Sequence, residues 1–250
     1  MKTDTGRGPS WSDLRDDLVV ANRILVDQHV LDAFGHVSVR TAPGEDAFLL
    51  SRNLAPGLVT AADLVEYDLD GDSEDDRAPY LERFIHAEIY RRRPDVMAVV
   101  HSHSATVVPF SVVQTPLRAV LHMAGFLAER PTPVFEIRDS AGGATDLLVT
   151  SSKLGQALAE TLGDGTVALM RGHGSVAVAG SLRAAVYRAV YTEVNARAQA
   201  EALALGTPIY LTPEEGATAD RTIGGQVERA WGIWCDRVRA TLAGSGGHGE

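Results

Sequence analysis

Apolar residues recur at helical spacing from Trp11 to Leu31, where Leu14, Leu18, Val19, Ala21, Ile24, Leu25, Val30 and Leu31 predict an opening amphipathic helix. Gly35 follows as a stop signal. Two short runs, Val37 to Arg40 and Ala47 to Ser51, then read as strands joined by the turn residues Pro43 and Gly44, which predicts a hairpin. The acidic stretch from Asp68 to Asp76, with Gly71 inside it and Pro79 beyond, reads as a solvated loop. A second helix is expected over Leu81 to Arg93, closed by Pro94, and a short apolar strand over Met97 to His101. Further strands are expected at Val134 to Ile137, Asp146 to Val149, Thr166 to Met170 and Ser175 to Val178, with a helix over Lys153 to Leu162. Ser181 introduces a long helix to about Leu205 with Leu182, Val186, Val190 and Val194 on one stripe, and a last helix covers roughly Gln226 to Leu242. Short strands intermixed with helices predict an α/β fold in which helices cover a sheet.

A chain of 250 residues without an internal repeat or clear linker predicts one domain, residues 11–242, with a flexible start over residues 1–10 and a disordered Gly-rich tail over 243–250. No apolar run approaches the roughly 20 residues of a membrane-spanning helix. The first ten residues also lack the apolar stretch of a secretory signal, so a soluble cytoplasmic protein is expected. Lys plus Arg number 23 against 33 Asp plus Glu, and the net charge of −10 argues against a general nucleic-acid surface. The single cysteine, Cys235, lies among Trp231, Ile233 and Trp234 and reads as a buried structural thiol.

The candidate chemistry lies in the histidines. In an extended strand alternate side chains share a face, so His101 and His103 of His101-Ser102-His103 point the same way and can grip one cation; taken alone, the motif equally suits hydrogen-bonded core or surface histidines. Arg171-Gly172-His173-Gly174 joins two apolar strands, and its glycines permit a tight turn that aims His173 either at that pair or at solvent. Three imidazoles leave a cation position open for water or substrate, as a catalytic site requires. Glu82 opens the second helix, with His86 at i+4, and is either a reacting carboxylate or a group that complements the helix dipole.

Taken together, Glu82, the Arg93-Pro94-Asp95 helix end, the His101-Ser102-His103 strand and the Arg171-Gly172-His173-Gly174 turn resemble the class II aldolase/adducin family, from Leu14 to about Leu205. The resemblance implies a three-layer α/β/α sandwich with a central mainly antiparallel or mixed sheet, assembled as a homotetramer with active sites near subunit interfaces. It also implies one divalent metal per subunit, Zn, Mn or Fe, on His101, His103 and His173, with Glu82 as the acid/base. The family's non-catalytic adducin-type interaction modules are expected to lose these histidines, and all three are present here.

Sugar-phosphate aldolases of the family carry small hydroxyl and amide donors for phosphate where this chain has Gly35-His36-Val37-Ser38, Ser51-Arg52-Asn53-Leu54 and Tyr80-Leu81. A guanidinium clasps a carboxylate through two parallel hydrogen bonds, so Arg52 is a candidate anchor for a carboxylated substrate, with His36, Ser38, Ser51 and Tyr80 as further candidate contacts. Arg52 also reads as a salt-bridge partner and Tyr80 as a packing residue. The replacements look more like the branch that decarboxylates hydroxy-carboxy-muconic semialdehydes or dihydroxyaromatic acids, and are similar to an iron-dependent oxygenase branch. The expected activity is decarboxylation of a non-phosphorylated oxo- or hydroxy-acid through a metal-stabilised enolate. An Fe(II) oxygenase acting on a hydroxyphenylpyruvate-like substrate, or an aldolase, is the alternative.

Overall fold

The computed structural model describes residues 11–245, with side chains to residue 240, so the expected flexible start and residues 246–250 of the expected tail lie outside the described residues. Helix α1 (Trp11–Asp27) leads into the antiparallel hairpin β1 (His36–Arg40) and β2 (Ala47–Ser51), followed by β3 (Leu64–Asp68). Helix α2 (Arg83–Arg92) and β4 (Ala98–Ser102) come next, then β5 (Val134–Phe135), α3 (Arg138–Ala141), α4 (Ser152–Leu162), β6 (Val167–Met170) and β7 (Gly174–Ala179). The long α5 (Leu182–Leu205), α6 (Pro213–Gly224) and α7 (Val227–Ser245) complete the chain.

The seven strands form one sheet in the order β3-β2-β1-β4-β7-β6-β5, antiparallel except for the parallel β5–β6 edge. Alternation along each strand sends one set of side chains to each face. Val37, Val39, Leu49, Ala98, Val100, Leu169 and Ala177 pack beneath α1, α5 and α7. Phe48, Leu50, Val99, Ala168, Met170, Val176 and Val178 pack against α2 and α4. The result is the expected three-layer α/β/α sandwich with a mixed, mainly antiparallel sheet.

Three details differ from the pattern. Asp146 to Val149 is not a strand, because Leu147 takes a left-handed backbone (φ 69°) that breaks the pleat. Val194 of the long stripe is 38% exposed, while Glu193, Asn195 and Gln199 on the same helix are buried. Asn195 and Gln199 spend their amides on the backbone of the 116–121 segment, which supplies Arg118, Val120 and Pro116 as partners. Finally, α7 continues to Ser245, past the expected helix end at Leu242. Cys235 is buried beside Trp231 and Trp234, as expected. Among the described residues no helix is long and apolar enough to cross a membrane.

Candidate metal centre

The centre of the sheet carries the cluster. In the ladders, His101 of β4 is paired with His36 on β1 and Val176 on β7, so its ring is fixed from both sides and fully buried. His103 lies one residue past the end of β4, on the same side of the chain. The β6–β7 turn supplies His173, with Gly172 in the left-handed region (φ 64°) and its N–H held by Ser111 Oγ at 2.9 Å. Gly174 permits the close approach: a Cβ there would sit 2.2 Å from the Ser102 carbonyl oxygen.

Three Nε2 atoms converge. His103 Nε2 lies 2.9 Å from His101 Nε2 and 3.0 Å from His173 Nε2. Glu82 Oε2 approaches His101 Nε2 at 3.5 Å and His173 Nε2 at 3.4 Å. All four ligand atoms lie within 4.8 Å of one another. Tetrahedral zinc–imidazole bonds of about 2.0–2.1 Å place neighbouring nitrogens about 3.3 Å apart, so the cluster is within a few tenths of an ångström of a ligated geometry.

The remaining ring atoms say what the cluster lacks. His101 Nδ1 faces the Ser175 carbonyl at 3.1 Å and His173 Nδ1 faces the Leu147 carbonyl at 2.9 Å. A carbonyl only accepts, so both Nδ1 atoms carry the proton and both Nε2 lone pairs point into the cluster. His103 can donate to one of them at most. Converging lone pairs beside a carboxylate call for positive charge at their centre, and this donor set fits a divalent cation.

Electrostatics agree. Burial pushes His103 down to about 4, and the neighbouring His101 and His173 push it further in the same direction, keeping the ring neutral as a ligand must be. Burial by itself would raise the Glu82 carboxyl, but when His101 and His173 are protonated their hydrogen bonds and charge outweigh it and hold the group well below the usual carboxylate range, a part that a cation would take over when the rings are neutral. Glu82 Oε1 accepts the Val149 N–H at 2.9 Å. The 147–149 segment therefore brackets the site, orienting His173 through one carbonyl and Glu82 through one N–H. Sequence reading missed this, since backbone groups leave no residue signature.

The candidate substrate contacts divide. His36 packs its ring against His101 (4.9 Å between centroids) and Tyr80 (4.5 Å) at the edge of the cluster. Ser38 does not join it: fully buried, its hydroxyl lies 2.6 Å from His86 Nδ1 and 2.7 Å from the Tyr90 hydroxyl, beneath α2. Ser51 is buried too, hydrogen-bonded to Tyr80, whose hydroxyl donates to the Leu54 carbonyl. Arg52 is half-exposed on the same loop and pairs through Nε with Asp63 at 2.8 Å, so its salt-bridge reading holds in this structure. His86 turns toward His36 and Ser38 and not toward Glu82.

His86 also makes stability pH-dependent. Burial lowers it from 6.5 to about 3, with the charge of His101 adding to the shift. The folded ring stays neutral while the unfolded chain protonates below about pH 6.5, so this contribution is intact above that pH and lost as pH falls toward 3. For metal-depleted protein, His86→Gln should flatten the loss of unfolding free energy across this window by up to about 1.4 kcal/mol per pH unit. Denaturant unfolding at a series of pH values measures it, and an unchanged slope would assign the acid sensitivity to another group.

The fold and the cluster define an α/β protein with a sheet-borne, three-histidine and one-carboxylate site able to hold a metal. The chain belongs to the Class II Aldolase and Adducin N-terminal domain family, whose model matches residues 16–200. It is 39% identical to decarboxylase tropJ of Talaromyces stipitatus, over 86% of this chain and 90% of that protein. It is 28% identical to 3,4-dihydroxyphthalate decarboxylase of Arthrobacter keyseri, over 93% and 99% respectively. The fold is shared with L-fuculose 1-phosphate aldolase from Glaciozyma antarctica, at a TM-score of 0.75 and 21% identity, covering 96% of each chain.

Proposed function

We propose that this protein is a divalent-metal-dependent lyase that decarboxylates a non-phosphorylated hydroxy- or oxo-acid, with a carboxylated phenol the first class to try. The observation that carries the reading is the convergence of the His101, His103 and His173 Nε2 atoms beside Glu82. Likeness to two decarboxylases supports the choice of reaction. A cation held there would act as a Lewis acid, stabilising negative charge on a substrate oxygen.

The chain's own groups handle the protons. Glu82, held ionised, takes the proton of the substrate hydroxyl on Oε2 while the Val149 N–H fixes Oε1. Glu82 then delivers that proton to the carbon that bears the carboxylate, which turns the substrate oxygen into a carbonyl; the carbon–carboxylate bond breaks, its electron pair flows to that oxygen as an enolate, and carbon dioxide leaves. The carboxylate is thereby exchanged for hydrogen with no oxidant, and Glu82 ends ionised as it began. The same oxyanion chemistry serves aldol cleavage, and the groups outside the cluster decide between the two.

Arg52 is the proposed carboxylate anchor. Its Nε is held by Asp63, which fixes the plane of the guanidinium. Lysine lacks the fork, so Arg52→Lys should raise KM for a carboxylated phenol about tenfold while changing kcat less, the loss expected for about 1.4 kcal/mol of binding. Measuring carbon dioxide release against substrate concentration tests this, and an unchanged KM would return Arg52 to a surface ion pair with Asp63. Active sites completed at the interfaces of a homotetramer, in a cytoplasmic enzyme, belong to the same proposal.

A further inference from the structure

Beneath the cluster a hydrogen-bonded chain of buried side chains runs from α2 to the site. Tyr90 Oη lies 2.7 Å from Ser38 Oγ, Ser38 Oγ lies 2.6 Å from His86 Nδ1, and His86 Nε2 lies 2.6 Å from His36 Nδ1. Tyr90, Ser38 and His86 are essentially inaccessible, and His36 is 3% exposed. Each link has one donor and one acceptor, and a ring nitrogen that accepts carries no proton, so the direction of the first link sets that of the others.

Such a chain has two possible polarities, and its far end decides between them. Around Tyr90 the neighbours are the Phe48 ring, the Arg40 guanidinium, which lies over the tyrosine ring at 4.8 Å, and the Val99 backbone, whose hydrogen bond to the hydroxyl favours the phenolate and so comes from its N–H. None of these accepts the phenol hydrogen: the Val99 N–H is a donor, a guanidinium has only donors, and Arg40 spends its own on the carbonyls of Val96, Glu45 and Tyr90. Ser38 Oγ is the acceptor that remains for the phenol hydrogen. In the reverse polarity that hydrogen would be buried without a partner, which folded proteins avoid.

The direction then propagates. Tyr90 donates to Ser38, Ser38 donates to His86 Nδ1, and His86 Nε2–H donates to His36 Nδ1. His36 is left with its proton on Nε2, on the side of the ring away from His86. We infer that His86, Ser38 and Tyr90 are positioning residues that lock His36 as a neutral Nε2–H donor at the edge of the metal centre. A protonated nitrogen cannot ligate, so this ring, although packed on His101, stays out of the ligand set and leaves the open position to substrate. It also offers the substrate's carboxylate or developing oxyanion a donor that carries no charge of its own. The donor role rests on the function proposed above, whereas the tautomer does not.

The test is nitrogen-15 NMR of the histidine rings in the zinc-loaded full-length protein, where protonated and bare ring nitrogens are separated in chemical shift. The expected result for the wild type is a single Nε2–H tautomer for both His36 and His86. Ser38→Ala removes the hydroxyl that carries this direction to the rings, so a second, Nδ1–H set should appear for both rings, with zinc content unchanged. A wild-type His36 carrying its proton on Nδ1, or a Ser38→Ala spectrum identical to that of the wild type, would overturn the inference. The wild-type spectrum decides even if the variant does not fold. Because no turnover is involved, failure of the proposed decarboxylation would leave this result standing, and the reverse holds as well.

Discussion

His103→Ala and His173→Ala should each abolish bound metal and turnover together while leaving a folded protein. Both rings sit at the ends of strands, at the β4 terminus and in the β6–β7 turn, and both are only partly buried, so their loss opens the site without emptying the core. His101 is a poorer test, since it is fully buried within the sheet and its removal would also leave a cavity. Even changes to groups behind a ligand cost about 10–100-fold in metal affinity, so deletion of one of three imidazoles should exceed that. Metal analysis after gel filtration, with circular dichroism for the fold, measures both effects. Stoichiometric metal in both variants would show that these rings are not the ligands.

Glu82→Gln should separate the chemistry from the metal. Glutamine keeps an oxygen for the Val149 N–H and keeps the shape, but it cannot take and return a proton. Turnover should fall by about two to four orders of magnitude, the usual size of general acid–base catalysis, with KM changing little and the three histidines still loaded. Carbon dioxide release and metal content, measured on the same preparation, give the answer. If turnover stayed within a few-fold of the wild type, Glu82 would be a structural carboxylate that caps the 147–149 segment.

The histidine pattern was legible because strand periodicity is rigid. Alternation along β4 put His101 and His103 on one side, and two glycines around His173 marked a turn that has to be tight. The hairpin, the long helix after Ser181 and the two-faced sheet were legible for the same reason. Helix α6 was not read, although Thr212-Pro213-Glu214-Glu215 forms a capping box with proline in the first turn. Its interior, Gly-Ala-Thr-Ala-Asp-Arg-Thr, has no apolar stripe, and its position comes from packing on the 122–127 segment. Strand β3 escaped because its alternating Val65 and Tyr67 run straight into the acidic loop.

Within the site, side-chain identity and side-chain role came apart. Ser38 and His86 carry groups suited to substrate binding, yet burial under α2 makes them partners of each other and of Tyr90. Nothing in local spacing pairs residue 38 with residues 86 and 90; only the stacking of α2 on β1 does. Leu147 shows the opposite case, an apolar residue whose carbonyl orients a candidate ligand because its backbone is left-handed. Sequence patterns report which side chains are available, while tertiary packing assigns the backbone and buried hydroxyls to them.

The most direct measurement of the central claim is carbon dioxide release by purified protein of known metal content. The substrates are 3,4-dihydroxyphthalate and other carboxylated phenols, with L-fuculose 1-phosphate as the comparison, each assayed with and without oxygen. Release from a carboxylated phenol in the absence of oxygen, abolished by a chelator and restored by a divalent cation, is the predicted result. Cleavage of the sugar phosphate with no carbon dioxide, release that needs oxygen, or release indifferent to metal removal would contradict it.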